Sequence, residues 1–113
     1  MGLSPVTWPW RRAVVCGPSM SPTLSDGDVV LISSRARPRP GAVVLARWPQ
    51  RPDQLSIKRA VGRHGSGWWV LGDNPDGSID SRHLGTADLV AVVLARLYPQ
   101  PTWLSPHSAG RVA

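Results

Sequence analysis

At 113 residues the chain is long enough for one domain with its own core and too short for two. Its 42% hydrophobic content excludes a fully disordered chain, and the absence of a continuous apolar stretch of about 18 residues excludes a transmembrane helix. The formal net charge of +6 would suit nucleic acid or an anionic membrane surface. No basic run is interleaved with aromatic residues, however, so the arginines read as scattered surface charge and no nucleic-acid partner is expected.

All 7 acidic residues are aspartate, while proline and glycine number 12 and 11, a mixture poor in helix formers and rich in turn formers. The expected fold class is therefore all-β: a single compact domain of short strands with little helix. Residues 1–12 read as an N-terminal extension whose Pro5, Trp8, Pro9 and Trp10 interrupt any apolar stretch of secretory-signal type. The core spans 13–97, with strands expected at Ala13–Cys16, Asp28–Ser33, Ala42–Trp48, Leu55–Arg63, Gly67–Leu71 and Leu89–Leu97. Asp26-Gly27 turns the chain into the second strand, and Arg37-Pro38-Arg39-Pro40-Gly41 links it to the third as exposed extended chain. His64-Gly65-Ser66-Gly67 closes a hairpin, and Asn74-Pro75-Asp76-Gly77 is a further turn. Single helical turns are expected at Ser21–Leu24 and Thr86–Leu89, and an irregular tail over 98–113. Cys16 is the single cysteine, so no internal disulfide forms; ending an apolar run, it is expected to be a buried, inert thiol. With neither signal nor anchor in evidence, a cytoplasmic location is expected, peripheral membrane association staying open.

Candidate chemistry centres on Ser19 and on Lys58, the one lysine among 13 basic residues. A lone serine hydroxyl is a weak nucleophile that needs a base, and an amine serves as that base only when its pKa is brought toward neutrality. Arginine effectively never deprotonates, so Lys58 alone among the basic aliphatic side chains can do this. On a strand, Ser56, Ala60 and Gly62 share its face, and all are small enough to let a nucleophile and a peptide approach. Gly17-Pro18 makes a sharp bend before Ser19, and Met20 belongs either to a substrate cleft or to the core. The polar run from Gly72 to Gly85 shapes a site rather than a core. Asp73, Asp76 and Asp80 supply oxygens for calcium, but the spacing departs from the EF-hand pattern and its bidentate glutamate is missing. No metal and no cofactor are expected.

In this order, these segments resemble the conserved boxes of the type I signal peptidase family of serine/lysine proteases. Ser19-Met20-Ser21-Pro22-Thr23-Leu24 is similar to that family's nucleophile box, Asp26-Gly27-Asp28 to the short box that follows, and Ile57-Lys58-Arg59-Ala60-Val61-Gly62 to its general-base box. Gly72-Asp73-Asn74, with Ser78, Asp80-Ser81-Arg82 and Gly85, is similar to the last. The resemblance implies a signal-peptidase catalytic core with Ser19 as nucleophile, Lys58 as general base and Ser78 as a hydrogen-bonding partner that orients the amine. It makes Gly17, Pro18 and Met20 substrate-binding, and Asp73, Asn74, Asp80 and Arg82 structural, the last two as a carboxylate–guanidinium brace. Where some members carry an oxyanion serine this chain has Gly17, so a second donor must come from backbone or be absent. A compact, unanchored form with Gly-Pro-Ser-Met is similar to the maturation proteases of nickel-type superoxide dismutase. The resemblance thus implies removal of an N-terminal extension from a protein or peptide substrate such as that precursor, with signal-peptidase-like processing of secreted precursors at a membrane as the alternative. Oligomeric state stays open.

Two other readings remain. A Ser/His/Asp triad would draw on His64, His83 or His107 with Asp73 or Asp80, though no Gly-x-Ser-x-Gly elbow is present. A catalytically silent basic β module would bind peptide or nucleic acid through exposed tryptophan. Because the chain has no phenylalanine, Trp48, Trp68 and Trp69 are instead expected to provide the aromatic core.

Overall fold

Short β-branched runs punctuated by glycine and proline form antiparallel strands, as their pattern predicts. The computed structural model describes residues 10–104. Trp8, His107 and the outer parts of both terminal segments lie outside the described residues. The strands are β1 (Trp10–Val14), β2 (Val29–Ser33), β3 (Val43–Arg47), β4 (Ser56–His64), β5 (Gly67–Leu71), β6 (Asp88–Tyr98) and β7 (Thr102–Trp103). The one α-helix among the described residues, α1, covers just Ser81–Leu84. All strands join one antiparallel sheet in the order β1-β2-β6-β3-β4-β5, with β7 pairing β6. The fold is thus the compact all-β domain that the composition predicts.

The 11-residue β6 organises the sheet, pairing with β3 through its first half and with β2 through its second. Successive strand residues point to opposite faces, and both faces are packed at the centre. Val44 and Val92 join Trp48, Ala60, Trp68 and Val70 in one buried cluster, while their neighbours Val43 and Val93 join Val15, Met20, Leu24 and Val30 in the other. This two-sided burial explains why Ala42–Ala46 reads as a continuous apolar run instead of an alternating one. Trp48 and Trp68 fill the core as expected; Trp69 is half-buried beside the His64 ring.

Several local expectations need correction. The first strand lies upstream of Ala13–Cys16: Val15 leaves the ladder to enter the core, and Cys16 is exposed in the loop beyond it, not buried. No helical turn forms at Thr86–Leu89, because Ala87 exchanges backbone hydrogen bonds with Trp68 and β6 has already begun at Asp88. The helix comes earlier, at Ser81, where Asp80 caps it. After Tyr98, Thr102 and Trp103 return to pair with β6.

Candidate active site

Ser19 sits in a loop that a set of backbone bonds holds against the start of β2. Gly17 adopts φ +85°, a conformation that L side chains rarely take, and its N–H donates to Asp26 Oδ1 at 2.7 Å. Gly27 N–H donates to the Val15 carbonyl, Val15 N–H donates to the Asp28 carbonyl, and the Asp28 carboxylate accepts from Ser25 N–H. The Asp26-Gly27-Asp28 run is therefore the clip that closes the Ser19 loop. Within the loop, Leu24 N–H donates to the Met20 carbonyl as one helical turn.

The segment after β5 holds the same loop from the other side. Asn74 donates its backbone N–H to the Ser19 carbonyl at 2.9 Å and its side-chain amide to the Pro18 carbonyl at 3.0 Å. Among the described residues, the Ser19 N–H makes no hydrogen bond. Arg59, next to Lys58, donates to both carboxylate oxygens of Asp73, and Thr23 donates its hydroxyl to the same group. The Ser19 loop, β4 and the segment after β5 thus meet at one partly buried Arg59–Asp73–Thr23 junction. Sequence reading placed Asp73 in a structural role but missed Arg59 and Thr23. The signal was there: Arg59 follows Lys58 on a strand, so it must face away from it.

Lys58 pairs with Val44 and shares the face of the larger core cluster. It is 4% exposed, and its amine has neither a hydrogen bond nor a salt bridge among the described residues. Burial lowers its pKa below the ordinary lysine value, partly opposed by the negative charge of Asp80. Ser19 and Lys58 line one cavity of about 700 Å³, together with Gly17 and Pro18. Met20 does not line it; of the two places open to that residue, it takes the core.

Ser78 is buried, and its hydroxyl donates to Asp80 Oδ2 at 2.9 Å; no bond to the Lys58 amine is formed. Asp80 is fully buried and collects donors from Gly72 N–H, Ser78, Arg82 N–H and the Arg82 guanidinium, the last at 2.8 and 2.9 Å. Burial opposes its ionisation, but the Arg82 guanidinium and the other donors outweigh that and hold its carboxyl well below the usual carboxylate range. The edge strand β5 explains this arrangement. Its outward N–H groups at Trp68, Val70 and Gly72 are met in turn by the Ala87 carbonyl, Ser81 Oγ and the Asp80 carboxylate. The polar residues of the last segment therefore cap the sheet edge and aim Ser78 in the same act. Ser81, 1% exposed, is a third residue to which sequence reading gave no role of its own.

His64 and His83 are both exposed and do not line the cavity. His83 Nδ1 accepts from the Asp80 N–H in the helix cap. No group of three or more His, Cys, Asp or Glu suited to a metal occurs among the described residues.

Gly72 gives a direct check on this packing. A Cβ there would stand 2.7 Å from the Ser19 carbonyl oxygen and would overlap the Ser78 side chain. Gly72→Ala is therefore expected to lower the melting temperature and to cut any Ser19-dependent activity by at least about tenfold, since small displacements at a reacting centre are costly. A variant with unchanged melting and turnover would mean that the two segments are not held in register here.

The sequence profile of the Peptidase S24-like family matches residues 12–93, a span that includes all of these segments. The mitochondrial inner membrane protease subunit 1 of Schizosaccharomyces pombe is 30% identical over 116 residues, covering 79% of this chain and 74% of that protein. Its counterpart in Xenopus tropicalis is 28% identical, covering 78% and 70%. The mitochondrial ATP-independent inner membrane protease subunit 1a of Arabidopsis thaliana is 33% identical, covering 75% and 68%. These relatives, named as inner membrane proteases, overturn the cytoplasmic expectation, which rests only on finding no apolar run of signal or anchor type in the sequence. No described helix is long and apolar enough to cross a membrane. With the profile covering most of its length, the chain belongs to the Peptidase S24-like family.

Proposed function

We propose that the chain is a serine endopeptidase in which Ser19 is the nucleophile and a neutral Lys58 the general base, processing precursor proteins at a membrane surface. One observation carries the chemistry: a buried amine with no carboxylate bound to it, its pKa lowered by burial, opens onto the same cavity as Ser19. Lys58 Nζ removes the Ser19 hydroxyl proton as Oγ attacks the peptide carbonyl carbon. The free Ser19 N–H steadies the developing oxyanion by about 3 kcal/mol. The resulting ammonium returns its proton to the leaving amine, and the acyl ester on Ser19 is then cleaved by a water that Lys58 deprotonates. Ser78, already donating to Asp80, keeps its lone pairs for the Lys58 amine and so orients it. Asp80 and Arg82 brace that serine, and Gly17 leaves any second oxyanion donor to the backbone. An extended substrate lies along the open edge of β1, which borders the cavity.

The membrane side of the reading draws on the relatives, which are named as inner membrane proteases. The narrower substrate, a nickel-type superoxide dismutase precursor, draws only on the Gly17-Pro18-Ser19-Met20 run and is the weaker of the two. Incubation with a peptide library and with both kinds of precursor, followed by sequencing of new N-termini, tests the proposal. Cleavage should vanish in Ser19→Ala; equal turnover in that variant would end the proposal. The kcat/KM should also rise with pH along a limb set by the lowered Lys58 pKa, below the ordinary 10.5. A limb near 10.5, or none that moves with Lys58 variants, would assign the base elsewhere.

A further inference from the structure

We propose that Cys16 is a modification site inside the cavity shared by Ser19 and Lys58, forming a mixed disulfide with small, carboxylate-bearing disulfides. The backbone fixes its direction. Val15 donates its N–H to the Asp28 carbonyl and accepts from Gly27 N–H, and its side chain is drawn into the core at 3% exposure. The neighbours on either side therefore turn outward: Val14 and Cys16 are both exposed, and both line the cavity. Among the described residues the thiol has one acceptor, the Val14 carbonyl at 3.9 Å, a weak contact that leaves the sulfur free to react. Ser19, three positions on, lines the same cavity, and the bond from Gly17 N–H to Asp26 pins the chain between the two.

The cavity suits a guest that brings its own acceptors and negative charge. Lys58 lines it at 4% exposure with no partner for its amine among the described residues, so that donor is met only by a polar group entering from outside. Arg11, Arg12 and Arg51 also line it and no aspartate does; Asp26, bonded to Gly17 N–H, stays outside the lining. A partly enclosed positive cleft concentrates anions. At about 700 Å³ the space takes an adduct the size of a tripeptide, which leaves a peptide substrate no room beside it. The step is thiol–disulfide exchange. The Cys16 thiolate attacks one sulfur of the incoming disulfide, the new S–S bond forms as the old one breaks, and the departing thiolate takes up the proton that Cys16 released. Cys16 is oxidised and the released half is reduced. A carboxylate carried in beside Lys58 also favours its charged form, which withdraws the base. That loss of cleavage rests on the protease reading above; the adduct itself stands on exposure, cavity lining and charge.

Incubation of the full chain with oxidised glutathione, which is anionic, and in parallel with cationic cystamine tests it. Intact mass reads the site directly, because the chain has one cysteine. Each rate is divided by that of the urea-unfolded chain, which removes the intrinsic reactivity of the two reagents. On that scale oxidised glutathione should react at least about tenfold faster than cystamine at low salt, and the gap should close as salt is added. Peptide cleavage should fall in proportion to the glutathione adduct and return with dithiothreitol, while Cys16→Ser should keep its own turnover through the same treatment. A native chain that takes up no adduct, equal scaled rates for the two reagents, full modification with cleavage unchanged, or equal loss of cleavage in Cys16→Ser would each overturn the proposal. If the untreated protein cleaves nothing, the protease reading fails while the adduct rates still decide this one. Cleavage by a protein whose Cys16 does not react has the opposite outcome.

Discussion

Lys58→Met is expected to abolish turnover and to make the protein more stable. A buried amine without a hydrogen-bond partner costs the fold about 1–3 kcal/mol, and methionine fills similar volume without that cost. For a domain of about 100 residues, each kcal/mol moves the melting temperature by about 4–8 °C, so the rise should be plain in a thermal scan. The pH dependence follows from linkage. The folded-state pKa of Lys58 lies below its unfolded value near 10.5, so between those two pKa values the unfolded chain binds more protons. Wild-type stability should therefore rise with pH through that window, and its penalty is fully present below the folded pKa. The methionine variant should lose this slope.

Lys58→Arg separates charge from proton transfer. Arginine keeps the positive charge but cannot become a neutral base, so kcat/KM should fall by at least about 10⁴-fold, the scale seen when a nucleophile loses its base. Arginine is also bulkier and permanently charged in a site 4% exposed, so this variant should melt lower than wild type, opposite in sign to methionine. An arginine variant that still turns over, or a methionine variant that melts lower than wild type, would show that the amine at 58 is neither desolvated nor the base.

The second large effect is expected at Asp80. Asp80→Asn keeps the shape but turns one acceptor oxygen into an NH2 group facing donors from Gly72, Ser78 or Arg82. Breaking a buried, multiply hydrogen-bonded charge in this way costs about 3–5 kcal/mol, a large share of the total stability of a small domain. The loss is not confined to one bond. The same carboxylate caps the edge of β5, starts α1 and holds the Ser78 hydroxyl, so peptide cleavage should fall with stability. The sign in acid is the reverse of that for Lys58. The folded pKa of Asp80 is depressed, so its contribution is complete above the unfolded value of about 3.9 and is lost as pH falls through that value toward the folded one. Wild type should lose stability progressively in acid, and Asp80→Asn should show a shallower decline. Equal melting of the two proteins at neutral pH would refute the cap.

Ser78 shows where a resemblance and a structure part company. The family pattern leads one to expect its hydroxyl on the lysine amine, yet its proton goes to Asp80. The difference has a physical cause: an ionised, fully buried carboxylate is the stronger acceptor and takes the donor first. A neutral amine can then only donate to the serine oxygen, which makes the relay run from Lys58 through Ser78 to Asp80 under the proposed chemistry.

The amino-acid order alone determined what rests on local pattern. Period-two and β-branched runs set the strands, Gly-Pro and Asn-Pro-Asp-Gly set the turns, and a solitary lysine among arginines marked the one side chain able to act as a neutral amine. Alternation along β4 also sufficed to send Lys58 and Arg59 to opposite sides. Tertiary structure decided everything that depends on distant partners. Cys16 was left in solvent because Val15, not the thiol, met the core, and Met20 was drawn inward by Leu24, Val30 and Val93. Arg59, Asp73 and Thr23 became one junction because the fold brings the Ser19 loop, β4 and the segment after β5 together, and Ser81 and Asp80 became caps because β5 ended up at a sheet edge with N–H groups to satisfy. Strand order across a sheet is set by long-range burial and hydrogen bonding, and these carry no signature within a short window of sequence.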